Sequence, residues 1–205
     1  AMVSVVCNNA LNRSVREYRL TDPGKILDKT REIVIQEFEK SDEKVSDGMD
    51  IALCSLEQED GGWKLKYAGA HNPLWIVTNC QSELVEDLNN SGLSILRQAQ
   101  DDTPTLLEIK ATKQPIGKFE NPEPYTTHTV QLEQGDSIYI FSDGYVDQFG
   151  GEKGKKFKTK AFRELLLSIQ EKSMEEQKLI IDEAFESWRG ELEQIDDVCI
   201  IGVRI

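Results

Sequence analysis

Two acidic segments border apolar, strand-like runs in the C-terminal half of the sequence. Asp143 comes two residues after the run 137–141, and Asp196 comes two residues before the run 198–203. If the two runs are antiparallel neighbours, the end of one meets the start of the other, and the two acids converge at one edge. Converging carboxylates repel each other, and a hard divalent cation stabilises both ionised forms. The spacing therefore predicts a metal site, in competition with the simpler interpretation that each acid is a solvated turn residue.

Four further residues could support such a site. Gly144 has no side chain, so another group can approach the backbone there closely. Asp197 directly follows the second acid in the sequence. Asp147 lies one helical turn beyond the first acid and could face the same cleft, although a surface position is the simpler interpretation. Asp50 interrupts an apolar run, which predicts either a buried hydrogen-bonding residue or a group that supports the ligands from outside.

A glycine- and lysine-rich segment, 150–156, follows the first acidic segment. Its spacing is one residue short of a phosphate-binding P-loop, and no Ser or Thr follows the lysine, so a P-loop is not predicted. Lys153 and Lys155 could form a flexible basic lip that attracts a phosphoprotein to an otherwise acidic molecule. The alternative is a solvated charged loop.

The N-terminal segment has the residue spacing of a cysteine-dependent phosphatase loop, but its other features exclude that assignment. Cys7, Arg13 and Ser14 match Cys-x5-Arg-Ser, the spacing of phosphatases in which a thiolate attacks phosphorus. Such a loop needs glycines to curve around the anion, whereas this stretch has none and follows helical spacing. We therefore assign it to a helix.

The composition excludes several classes of function. The 205 residues include 37 acidic and 24 basic side chains, a net charge of −13, which argues against a nucleic-acid partner. No apolar run in these residues approaches the roughly 20 residues of a membrane span, and no basic start followed by an apolar stretch and a cleavage site marks a secretory signal. The four cysteines are dispersed, and we expect them to be reduced, with Cys54 and Cys199 in the core. These features favour a cytoplasmic location.

Helical periodicity appears at both ends of the sequence. The first helix begins near Met2 with no capping residue before it, so we expect the chain to be the C-terminal portion of a longer domain. The second is capped by Thr21 or Asp22, with Pro23 in its first turn. Later helices are predicted at 159–169 and from a capping box at Ser173 to Gly190.

Strand-like patterns lie between and after these helices. They are predicted at 49–56, 63–70, 74–77, 106–109, 125–132, 137–141 and 198–203, the first three as a meander and the last as a buried strand. The polar stretch at about 81–103 is predicted to be an insertion within a single domain, 1–205. Helices followed by strands, helices and a strand indicate a mainly antiparallel α+β domain.

Five segments of the sequence resemble one protein family. Residues 142–147, Ser-Asp-Gly-Tyr-Val-Asp, with 135–141 before them, are similar to the GD-hydrophobic-SDG-aromatic-x-D segment of the SpoIIE-like branch of the PPM (type 2C) serine/threonine protein phosphatases. The other similar segments are 67–74 for the family's AGHNP turn, 114–117 for its PLG turn, 196–198 for its terminal DD segment and 2–12 for the helix after its first metal motif. In this order they span essentially the whole chain.

The resemblance implies a fold, a site and a reaction. The fold would be an α-β-β-α sandwich of two mainly antiparallel sheets flanked by helices, with a two-metal centre of Mn²⁺ or Mg²⁺ at one edge. Asp143 and Asp196 would be metal ligands, and Gly144 would allow the close backbone approach. Asp197 would be a neighbour of the ligands rather than a first-choice ligand. No side chain would act as the nucleophile, because a metal-activated water attacks phosphorus. The substrate would be a phosphorylated protein, and the domain would serve a bacterial signalling protein with an upstream sensor or regulatory domain.

One motif of the family is missing from this sequence. The Asp-x-(Ser/Thr)-Gly-His-Gly motif, whose aspartate bridges both metals, is expected just before Ala1. Two functions therefore remain: a phosphoserine or phosphothreonine phosphatase, and a non-catalytic interaction module that keeps the phosphatase scaffold. Without the upstream strands a sheet edge would be unpaired, so a homodimer through that edge is a further expectation.

Overall fold

The structure is a computed structural model that describes residues 2–39, 48–59, 62–78, 94–95 and 104–205. The chain forms two compact units. The first unit comprises Ala1–Leu74 and Ile109–Glu133, and the second comprises Trp75–Glu108 and Gln134–Ile205. None of the helices in these ranges has the length and apolar character needed to cross a membrane.

The described residues form five helices and ten strands. The helices are α1 (Met2–Arg16), α2 (Pro23–Glu39), α3 (Gly144–Asp147), α4 (Thr159–Ser168) and α5 (Met174–Arg189). The strands are β1 (Ile51–Glu59), β2 (Gly62–Ala70), β3 (Leu74–Thr78), β4 (Ser94–Ile95), β5 (Thr105–Ile109), β6 (His128–Leu132), β7 (Ser137–Phe141), β8 (Phe149–Gly150), β9 (Lys155–Lys156) and β10 (Ile200–Arg204).

The first unit packs α1 and α2 against a three-stranded antiparallel sheet in the order β1-β2-β6. Helix α2 is capped as the sequence predicts: the backbone N–H of Lys25 donates to Asp22 Oδ1 at 3.0 Å. Leu27 and Val34 on its inner face are fully buried with Ala68 of β2. Burying a side chain of this size contributes roughly 1.5–3 kcal/mol.

The second unit contains a five-stranded sheet in the order β10-β7-β3-β5-β4. Helices α4 and α5 cover its aromatic core, in which Trp75, Phe141 and Phe162 meet with ring centroids 4.6–5.6 Å apart. Helix α5 starts with the predicted capping box, since Ser173 Oγ accepts from the Glu176 N–H and Glu176 Oε2 accepts from the Ser173 N–H. This core fixes β7 and β10, the two strands that carry the acidic segments.

The predicted meander of three strands is wrong. Strands β1 and β2 form an antiparallel pair, but β2 pairs next with β6, and β3 joins the other sheet. The connection is a wide turn instead of a hairpin: His71 has a positive φ of 59°, and its N–H donates to Thr112 O at 3.1 Å. Tyr67 Oη also donates to Asn72 O at 2.6 Å, which directs the chain away from β2.

The last strand was predicted to be buried, but the structure shows it partly exposed. β10 lies at one end of the second unit's sheet, where Ile201 is 51% exposed and Val203 is 37% exposed. Cys199, just before the strand, is exposed and not a core residue, whereas Cys54 is half-buried and Cys7 is buried. An apolar pattern predicts a strand, but it does not distinguish an edge strand from a central one.

The remaining strand predictions agree with the structure in position, although β6 starts at His128 and not near 125. The predicted insertion at 81–103 lies outside the described residues, apart from the short strand β4. Cys80 also lies outside them.

Candidate functional site

Strands β7 and β10 bring the two acidic segments together at one edge of the second unit's sheet. The strands are antiparallel, with Phe141 opposite Ile200 and Ser137 opposite Arg204. The C-terminal end of β7, which leads to Asp143, therefore meets the segment that leads from Asp196 into β10. The convergence of these two segments is the geometry that the sequence pattern required.

Ser142 joins the two segments through three hydrogen bonds. Its N–H donates to Cys199 O at 3.0 Å, and its Oγ accepts from the Cys199 N–H at 2.9 Å. Because an N–H can only donate, the hydroxyl proton is left to bond with Asp197 O, which lies 2.8 Å from Oγ. One serine thus uses both its donor and its acceptor on the segment that carries the second acid.

Gly144 is buried against the same segment. A Cβ at this position would lie 2.5 Å from Asp197 O and 3.3 Å from Asp196 O, closer than ordinary van der Waals contact. The glycine is therefore required for space and not for an unusual φ. The predicted close approach at Gly144 is present, and the group that approaches is the backbone of the second acidic segment.

The Asp143 carboxylate is exposed to solvent at the start of α3. It occupies the N-cap position of this short helix but makes no side-chain capping bond, and its backbone carbonyl accepts from the Asp147 N–H at 2.9 Å. The backbone of Asp143 is thus fixed while its carboxylate oxygens face water.

Asp196 and Asp197 are exposed as well. The Asp197 N–H donates to Asp196 Oδ1 at 2.7 Å, and Gln194 Nε2 donates to Asp196 O at 2.8 Å. The first bond occupies one oxygen of the Asp196 carboxylate as an acceptor, and the second holds the backbone carbonyl of Asp196.

Gln148 also binds the segment that leads to the second acid, a role that the sequence analysis did not predict. Its side chain is fully buried, and its Nε2 donates to Glu193 O at 2.9 Å and to Phe149 O at 3.0 Å. Its Oε1 accepts from the Ile195 N–H at 3.3 Å. A single glutamine after an apolar segment has no periodic signal that could have identified it, and Ser142 was noticed only as part of a motif.

Tyr145 anchors α3 from its other side. The ring is buried among Phe157, Phe162 and Phe185, and its Oη donates to Ile181 O at 2.9 Å. Burial raises the pKa of the phenol, and the charge of Asp182 raises it further. Tyr145 therefore stays a neutral hydrogen-bond donor that ties α3 to α5.

Asp147, the last residue of α3, lies beside a hairpin formed by β8 and β9, which contains the two lysines. Asp147 Oδ2 pairs with Lys156 Nζ at 2.7 Å, in agreement with the surface position considered for it. Lys153 and Lys155 are exposed in this hairpin. The hairpin is held to α3, because the Lys158 N–H donates to Val146 O at 2.7 Å.

Asp50 lies in the first unit, directly before β1, where it is exposed. The prediction that it could be buried is wrong, because the strand begins one residue later, at Ile51, and Asp50 stays exposed. Burial raises the pKa of Tyr125 to about 12, and the charge of Asp50 makes a smaller contribution in the same direction.

The residues of the acidic edge fit a hard divalent cation in donor type. They offer exposed carboxylates from two chain segments held together by backbone contacts, and such oxygens are what Mg²⁺ and Mn²⁺ prefer. In number they form only part of a site: within the described ranges, no group of three or more His, Cys, Asp or Glu side chains is placed to hold a metal.

Comparisons with known proteins find one matching family model and several similar structures. The family model of stage II sporulation protein E (SpoIIE) matches residues 90–205. The structure is similar to the SiaA-PP2C domain of Pseudomonas aeruginosa, with a TM-score of 0.74 and 21% identity, over 100% of this chain and 69% of that one. It is also similar to the PP2C phosphatase domain, with a fragment of the regulatory domain, of the cell fate determinant SpoIIE from Bacillus subtilis. There the TM-score is 0.63 and the identity 15%, over 100% of this chain and 50% of that one.

No curated protein sequence matches the chain. At these identities the two structures establish the fold, and the predicted class of mixed helices and antiparallel sheets is confirmed. The chain spans about two thirds of the first structure and half of the second.

Proposed function

The chain belongs to the SpoIIE family, and on that premise we propose that it is a metal-dependent phosphatase domain acting on phosphoserine and phosphothreonine in proteins. The observation that carries the proposal is the junction of the two acidic segments. The end of β7 and the start of β10 hold Asp143 and Asp196 at one solvent-exposed edge.

In this proposal the acidic edge binds Mn²⁺ or Mg²⁺. Asp143 and Asp196 are the carboxylate ligands, Gly144 keeps the segments in contact, and Asp197 lies beside the ligands. The ions, when bound, supply activation of a water molecule and neutralise the phosphoryl oxygens. Because the carboxylates are exposed, a phosphoserine on the surface of another protein can reach them without opening a cavity.

The hairpin at 149–156 is proposed to contact the substrate. Its exposed Lys153 and Lys155 are positive charges on a chain of net charge −13, and the hairpin is attached to α3, which starts beside Asp143. Basic side chains attract phosphorylated segments, so these lysines would raise the rate of association more than the rate of hydrolysis. Asp147 has its own partner in Lys156 and holds the hairpin in place.

We also propose a regulatory and cellular context for this domain. The solved Bacillus subtilis relative includes a fragment of a regulatory domain, and we propose that this chain, too, is controlled by a sensor or regulatory domain. A cytoplasmic location and a role in bacterial signalling fit a domain that dephosphorylates proteins.

A second candidate function is a non-catalytic interaction module with a phosphatase fold. It is favoured by one observation: the described residues do not group three or more ligand side chains. In that case the exposed acidic edge would recognise a partner protein without turnover.

Hydrolysis of a phosphoserine peptide separates the two candidates. The full gene product and the 205-residue chain are assayed side by side with Mn²⁺, with Mg²⁺ and with a chelator. Phosphatase function predicts turnover that requires the metal and falls at least 100-fold in Asp143→Asn and Asp196→Asn, whereas Asp182→Asn, an exposed aspartate of the same unit, keeps normal turnover. A full gene product that shows no metal-dependent turnover would favour the interaction module.

A further inference from the structure

We propose that Ser142 and Gln148 are positioning residues for the metal site: they bind the backbone of segment 193–199 and so fix Asp196 relative to Asp143. The inference rests on the proposed phosphatase function. It assigns a role to two uncharged side chains that would not contact the metal themselves.

Segment 193–199 has little else to fix its conformation. It has no helix or strand, and six of its seven residues are exposed, with Val198 half-buried. A segment of this kind opens readily, because few apolar contacts oppose its movement. Its conformation therefore depends on hydrogen bonds from neighbouring elements, and Ser142 and Gln148 provide five of the bonds to its backbone.

The two side chains hold the segment on either side of Asp196. Gln148 binds the carbonyl of Glu193 and the N–H of Ile195. Ser142 binds the carbonyl of Asp197 and both backbone groups of Cys199. Asp196 lies between these two attachments, so neither end of the loop can shift without breaking a hydrogen bond.

Both positioning residues belong to the element that carries Asp143. Ser142 precedes this aspartate directly, and Gln148 follows α3. The backbone of Gln148 is itself fixed, since its carbonyl accepts from Trp188 Nε1 at 3.1 Å and from the Phe157 N–H at 2.9 Å. One fixed element therefore carries the first acid and holds the loop of the second.

This arrangement opposes the repulsion between the two acids. Without a cation, like charges at one edge favour separation of their segments. Hydrogen bonds that hold the segments together in advance reduce the ordering that metal binding must impose, which strengthens binding.

The test measures Mn²⁺ affinity of the full gene product by isothermal titration calorimetry. Ser142→Ala should weaken binding roughly tenfold or more, the usual effect of losing a residue that orients a ligand. Ser142→Thr keeps the hydroxyl and should restore affinity to within about threefold of the unmodified protein. Ser168→Ala is the matched control, because Ser168 is an exposed serine of the same unit whose Oγ donates only to Leu165 O within α4.

Gln148→Glu provides a second variant of nearly the same shape. It keeps an acceptor for the Ile195 N–H but replaces the donor to Glu193 O with a carboxylate oxygen, so Mn²⁺ affinity should fall by a similar factor. The melting temperature of each variant without metal shows whether it is folded, and affinities are compared only among folded variants.

Hydrogen exchange of single amides, measured without metal, tests the contacts independently of the metal. The Cys199 amide should exchange faster in Ser142→Ala and the Ile195 amide faster in Gln148→Glu, each with little change at the other position. A general loss of structure would instead accelerate exchange throughout the unit.

Three results are decisive. Weaker Mn²⁺ binding in Ser142→Ala, with rescue by threonine and local exchange at Cys199, supports the inference. Mn²⁺ binding that is unchanged in Ser142→Ala and Gln148→Glu overturns it and leaves the proposed function intact. An unmodified full gene product that binds no Mn²⁺ overturns both.

Discussion

The contact between Gly144 and the second acidic segment gives a direct prediction for Gly144→Ala. The added Cβ would lie 2.5 Å from Asp197 O, about 0.9 Å inside the 3.4 Å at which ordinary contact begins. The obstructing atom is a backbone carbonyl held by Ser142 Oγ, so it cannot move aside as a flexible side chain could. Overpacking of this kind costs about 2 kcal/mol, or about 4–8 °C in melting temperature for a chain of this size.

Urea denaturation and Mn²⁺ titration of the same variant test this reasoning. We expect Gly144→Ala to lose about 2 kcal/mol of unfolding free energy and to bind Mn²⁺ at least tenfold more weakly. The matched control is Gly202→Ala on β10, where the closest atom to the added Cβ is the flexible end of Met174 at 2.8 Å, and a smaller loss of stability is expected. If Gly144→Ala has the stability and metal affinity of the unmodified protein, the segments are not in the contact described.

Three further predictions concern stability and association. Ser173→Ala removes the capping box of α5 and should cost about 1 kcal/mol of unfolding free energy in urea denaturation, whereas no change would mean that the cap does not form. Burial lowers the pKa of His128, so as the pH falls below about 6.5 the unfolded chain binds a proton before the folded chain does. The free energy of unfolding should therefore decrease as the pH falls through this range. His128→Gln should remove this contribution to the pH dependence of the melting temperature. The exposed apolar strand β10 should make the 205-residue chain associate at high concentration, and Ile201→Lys should reduce that association in sedimentation velocity, unless β10 is not the contact surface.

Local patterns predicted the individual elements well, because their signals lie within a few residues. The capping box at Ser173 located the start of α5, and the apolar run 137–141 matches β7 residue for residue. Asp22 was one of two candidates for the cap of α2, and the structure selects it through its bond to the Lys25 N–H.

Pairing between distant segments was harder to predict, since it depends on contacts that no local pattern records. The path from β2 to β3 depends on Thr112, some forty residues later in the chain, and the exposure of β10 depends on which strands lie beside it. The convergence of the two acidic segments was predicted only because the strands were assumed to be antiparallel neighbours, and the register of β7 with β10 supports that assumption.

Within the candidate site, the charged residues were easier to recognise from the sequence than the uncharged residues that hold them in place. Asp143 and Asp196 stand out because carboxylates at strand ends have an evident chemistry. Ser142 and Gln148 are uncharged residues whose role comes entirely from the backbone groups that they meet. Such positioning residues become visible only when the chain is folded.

A crystal structure of the full gene product soaked with Mn²⁺, recorded with anomalous scattering, tests the central claim most directly. We predict an anomalous peak at the acidic edge, within bonding distance of carboxylate oxygens from both Asp143 and Asp196. Full occupancy of Mn²⁺ at another location, with these two carboxylates bound only to water, would contradict the account.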